Sequence, residues 1–130
     1  TDEALDNVSF AAWAARGAGQ EFDVYGRFFD ANAAAIGARL TLNDTRLQDQ
    51  QFPHATTRAD GSVAVTWSGI DTGGFRGLDI YSTIVYSSGF HTGEQLVNTR
   101  TDLAQGRPVT AALAGGGHVV AWLDNGGDGD

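Results

Sequence analysis

The chain has 130 residues, 42 % apolar and 18 % charged, with 16 acidic side chains against 8 basic ones and a net charge of −8. This fits a single folded region and excludes wholesale disorder. The acidic balance disfavours nucleic acid and anionic membrane as partners, the absence of cysteine excludes disulfides and thiolate metal sites, and no stretch reaches the ~20 apolar residues of a spanning helix.

The pattern along the chain is that of short strands. Glycine, at 18 of 130 residues, is about twice as frequent as usual, as many tight turns would require. The acidic start at Thr1 carries no signal-peptide pattern, so a mature product or a piece of a longer chain is expected. The first strand is expected at the run SFAAW, residues 9–13. A second spans Phe22 to Phe29 and a third Arg39 to Asn43. The alanine-rich stretch Ala31 to Ile36 is too short for a stable helix and reads as a turn. A fourth strand covers His54 to Arg58, with Pro53 at its start, where a missing N–H does least harm. In VAVTW, residues 63–67, alternation puts Val63, Val65 and Trp67 on one face. Further strands follow at Leu78 to Tyr86, Glu94 to Asn98, Val109 to Leu113 (after Pro108) and 118–122, which read HVVAW. The turn signals between them include Asp30-Ala31-Asn32, Asp60-Gly61, Ser87-Ser88-Gly89 and Gly115-Gly116-Gly117.

These elements recur. Trp13 and Trp67 lie 54 residues apart, and Trp67 and Trp122 lie 55 apart. Asp23-Val24-Tyr25 returns as Asp79-Ile80-Tyr81, Leu42-Asn43 as Val97-Asn98, and Gln50 with Pro53 as Gln105 with Pro108. One repeat region over residues 1–130 is therefore expected, with unit one at about 8–61, unit two at about 62–116 and a third begun at 117–130. The expected fold is all-β, of repeated four-stranded antiparallel units like propeller blades, with a β-sandwich as the alternative. The last Trp strand then needs strand four of unit two, another chain or further residues to pair with.

With these landmarks in place, the chain resembles the tandem β-repeats of very large secreted bacterial proteins, the RTX-associated, type I-secreted, adhesin-like class. Leu96 to Asp130, LVNTRTDLAQGRPVTAALAGGGHVVAWLDNGGDGD, is the closest stretch, and Leu42 to Trp67 follows the same outline. The resemblance implies an extracellular or cell-surface location, structural, adhesive or calcium-associated roles, and no defined catalytic residues. The acidic hairpin of that class is replaced here by Arg16-Gly17-Ala18-Gly19, with no aspartate, and by Asp71-Thr72-Gly73-Gly74, with a single acid.

Candidate sites are few. The tail offers Asp124, Asn125, Asp128 and Asp130 as oxygen donors for calcium, without the frame of an EF-hand; a solvated, frayed terminal turn is the plainer reading of the same residues. His54, Thr56 and Arg58 form a polar face where unit two has an apolar one, which marks an exposed edge or a ligand or partner surface. The three tryptophans, with Tyr25 and Tyr81, read as core, and His54, His91 and His118 as unconnected. No nucleophile elbow, Walker loop or Rossmann pattern occurs; Glu21, Asp23 or Glu94 would be the only material for a glycosidase-type carboxylate pair.

The expectation is therefore a non-enzymatic extracellular structural or adhesive module, self-associating or packed on neighbouring repeats. A lectin-like carbohydrate-binding oligomer and a fragment of a propeller-type enzyme are the alternatives.

Overall fold

A computed structural model describes residues 8–17, 21–44, 49–70, 78–98 and 105–124. Every regular element among them is a strand, in the order β1 (Ser9–Arg16), β2 (Phe22–Phe29), β3 (Ala35–Thr41), β4 (Gln50–Thr57), β5 (Val63–Ile70), β6 (Leu78–Val85), β7 (Gln95–Leu96), β8 (Gln105–Ala112) and β9 (His118–Asp124). They form three open antiparallel sheets, ordered β1-β2-β3, β4-β5-β6-β7 and β8-β9.

Four connections share one turn design, at residues 30–34, 58–62, 86–90 and 113–117. In each, the first residue donates its N–H to the fifth carbonyl, and the fourth donates to the first. The fourth residue takes a left-handed backbone: φ is 89° at Gly61, 94° at Gly89 and 112° at Gly116, but 65° at Ala33. A turn of this kind carries one residue at positive φ, and glycine does so without a Cβ clash. Asp30 compensates at the first turn, where its Oδ1 accepts from Asn32 N and Ala34 N.

The short turns also decide which strands pair. The strand that carries each proline does not close the unit before it. β4 pairs forward with β5 through the turn at 58–62, and β8 pairs forward with β9 through the turn at 113–117. The four-stranded sheet thus takes its first strand from the first sequence unit and three from the second. The last Trp strand, β9, finds its partner in β8.

The prolines do not sit at strand starts. Pro53 lies inside β4 and Pro108 inside β8, each at a register shift, between Gln51 and His54 and between Gly106 and Val109. The residues before them bend the strand, with φ of 58° at Phe52 and 53° at Arg107. A bulge interrupts the ladder, which removes the need for the missing proline N–H. The third strands also differ from expectation. β3 begins earlier, at Ala35, directly after the turn, and β7 shortens to Gln95–Leu96, although Leu42 N and Val97 N extend each ladder by one bond, to Val24 O and Ile80 O.

The main apolar core lies between the first two sheets. Val24, Phe28 and Leu42 from one meet Val63, Val65, Trp67, Tyr81 and Val85 from the other, with Phe10 and Ala12 packed alongside. Alternation explains the set: Phe10 faces Phe28 in register, and Val63, Val65 and Trp67 share a side of β5. Each buried aliphatic side chain of this kind contributes about 1.5–3 kcal/mol. Trp67 is fully buried, whereas Trp13 and Trp122, in the outer sheets, are half-buried.

Candidate functional site

Two side-chain devices recur from sheet to sheet. In the first, the D-[VI]-Y strand is tied to the stretch after the third strand. Asn43 Nδ2 donates to Asp23 Oδ1 at 2.8 Å while its Oδ1 accepts from Val24 N at 2.7 Å. Asn98 repeats this with Asp79 Oδ1 at 2.9 Å and Ile80 N at 2.7 Å. All four of these side chains are buried, so each amide bridges a buried carboxylate and a buried backbone donor. In the second device, Trp67 Nε1 donates to Gln50 Oε1 at 3.0 Å and Trp122 Nε1 to Gln105 Oε1 at 2.8 Å. Among the described residues, this bond is seen in the second and third sheets.

The polar face of β4 meets the third sheet. His54 pairs in register with Thr66, and Thr56 with Ala64, on the side of β5 opposite Trp67. His54 Nδ1 accepts the N–H of Thr110 at 3.1 Å, and Ser68 Oγ on the same side accepts that of Arg107 at 3.0 Å. β8 is an edge strand, and these side chains satisfy donors that point out of its own sheet. His54 is otherwise exposed, and Thr56 is half-buried.

Arg58, just past β4, joins a small charged group. Its guanidinium donates to Ser62 Oγ at 3.1 Å, and Ser62 donates from both N and Oγ to Asp60 Oδ1. The hydrogen bonds from Ser62, aided by the charge of Arg58, hold the Asp60 carboxyl below its ordinary pKa. Burial, with a smaller contribution from the Arg58 charge, pushes the His118 imidazole below its own. The charge of Arg58, just past β4, thus reaches His118 at the start of β9, two residues that sequence spacing left unconnected. Arg58 Nε and Thr66 Oγ1 are buried without a hydrogen-bond partner.

A third arrangement had no sequence signal beyond the two acids themselves. Asp44 N donates to Glu94 Oε1 at 2.7 Å, and Glu94 N to Asp44 Oδ2 at 2.8 Å. This reciprocal clasp joins the end of the first sheet to the approach of β7.

The other candidates disperse. Asp23 accepts from Asn43, Glu21 lies in the turn before β2, and Glu94 accepts from Asp44 N. His91 Nδ1 lies 3.0 Å from Thr92 O, beside β6. Asp124 ends β9, while Asn125, Asp128 and Asp130 lie outside the described residues. Among the described residues, no group of three His, Cys, Asp or Glu side chains is gathered as a metal centre. No family model, curated protein or solved structure matches the chain.

Proposed function

We propose that the chain is a non-enzymatic, extracellular structural and adhesive β-repeat module, made of propeller-blade-like sheets that stack face to face. The observation that carries this reading is the recurrence of the same two locks, Asn–Asp and Trp–Gln, in consecutive sheets. A chain that spends its buried polar groups on identical fastenings is built to repeat one sheet. The order β4-β5-β6-β7 supports the blade comparison, since a blade is four antiparallel strands joined in sequence. Among the described residues, the first sheet shows no strand equivalent to β4, and the third holds equivalents of β4 and β5. Neighbouring repeats or further copies of the chain are the partners that would complete such a stack.

The repeat resemblance and the acidic surface support a place outside the cell or on its surface. The calcium candidate that belongs with this reading is the tail, Asp124, Asn125, Asp128 and Asp130.

Beads coated with the full chain test the adhesive role on extracellular matrix, on a glycan array and on a chain-coated surface, with calcium and with chelator. Retention on the matrix or on the chain itself is expected. Retention on no surface would overturn the adhesive role, and retention only on defined glycans would replace it with the lectin-like alternative.

A further inference from the structure

The hairpin β8–β9 has two unlike faces. One carries Thr110 and Val120 and lies toward β4 and β5. The other is apolar throughout. Val109 pairs in register with Ala121 and Ala111 with Val119, and Leu113 and Leu123 extend the patch. Val109 is 53 %, Val119 50 %, Leu113 47 % and Leu123 66 % exposed. An uncovered apolar sheet face marks an interaction surface.

The first sheet shows what covers such a face. Phe10 and Ala12 stand three residues and one residue before Trp13, as Val119 and Ala121 stand before Trp122. Phe10 and Ala12 are packed against the core cluster to which the sheet that follows contributes its Trp-bearing face, Val63, Val65 and Trp67. The outer face of the third sheet therefore corresponds to a face covered elsewhere in the molecule by a Trp-bearing sheet. One Trp-bearing face is left over. Ser9, Ala11 and Trp13 share the side of β1 opposite Phe10 and Ala12, and Ser9 and Ala11 are exposed.

We propose that the apolar face of β8–β9 docks on the Trp13 face of the first sheet in a second copy of this chain. The contact is head-to-tail, so it extends into a ring or a filament rather than stopping at a symmetric dimer. It continues the face-to-face packing already present between the first two sheets, and it rests on the stacking-module reading above. Each copy carries a charge of −8, so added salt strengthens the association by screening.

Sedimentation velocity on the full chain tests the contact. The wild-type chain is expected to assemble with rising concentration. Val119→Asp removes one face, and Ala11→Lys removes the other, each weakening assembly by about tenfold or more. Mixed in equal amounts, the two variants are expected to form a dimer that goes no further, because each retains the face the other lacks. Leu123→Asp is a second variant on the first face, and unchanged far-ultraviolet dichroism certifies the fold of all three. A wild-type chain that stays monomeric, a Val119→Asp variant that assembles like wild type, or a mixture that forms no dimer would overturn the contact. Those outcomes leave the internal stacking and the retention of beads on extracellular matrix untouched, so the two failures are distinguishable.

Discussion

The indole N–H of Trp67 is held by the side-chain carbonyl of Gln50 at 3.0 Å, with both residues at 0 % exposure. The bond crosses the β4–β5 pair, and Gly69 makes room for it, since a Cβ there would run into the Gln50 amide. Gln50→Leu strands a buried donor and is expected to cost about 1–3 kcal/mol in urea denaturation. Gln105→Leu, beside the half-buried Trp122, is expected to cost less, because water can replace the lost partner.

Asn43→Ala and Asn98→Ala each remove the amide that joins a buried aspartate to a backbone N–H. Each is expected to lower stability by about 2–3 kcal/mol in the same assay, since a buried charged acceptor loses a donor. Closely similar losses at the two sites would show that the fastenings are equivalent, and a negligible loss at either would break that equivalence.

The turn at Ala33 runs against the usual preference. A non-glycine residue at a φ of 65° is strained by about 1 kcal/mol relative to glycine, so Ala33→Gly is expected to raise the unfolding free energy by up to about that amount. Gly89→Ala, at the corresponding position of another hairpin, is expected to lower it. Calorimetric midpoints of the two variants should move in opposite directions.

His118 supplies a pH dependence whose sign follows from its lowered pKa in the folded chain. The fold favours neutral imidazole, so its contribution is complete above the ordinary histidine value of 6.5 and is lost as pH falls toward and through the folded value. Thermal midpoints measured downward from neutral pH should fall for the wild-type chain, and His118→Gln should flatten that part of the curve. Arg58→Gln should flatten it only in part, because burial is the larger cause.

Much of the strand pattern was legible in the sequence. β2 spans Phe22–Phe29 as alternation and turn residues required, and the side of β5 bearing Val63, Val65 and Trp67 is the core side. The bulges at Phe52 and Arg107 were not legible, because both residues are ordinary in composition and only the register shift reveals them. The guanidinium of Arg107 lies 4.9 Å from the centre of the Phe52 ring, a contact across two sheets. The polar face of His54 could be seen in the sequence, but its acceptance of the Thr110 N–H could not. Thr66 and Ser68, alternating with Val65 and Trp67, were a signal that this side of β5 meets something polar.

By itself the sequence determined that the chain makes short antiparallel strands and where most of them turn, because side-chain alternation and left-handed turn positions are local properties of the backbone. Only the tertiary structure decided that β4 and β8 pair forward, that the charge of Arg58 reaches His118, and that one apolar face of β8–β9 is left uncovered among the described residues. Those outcomes depend on which distant surfaces come together, and the energy of burying a face belongs to both partners at once.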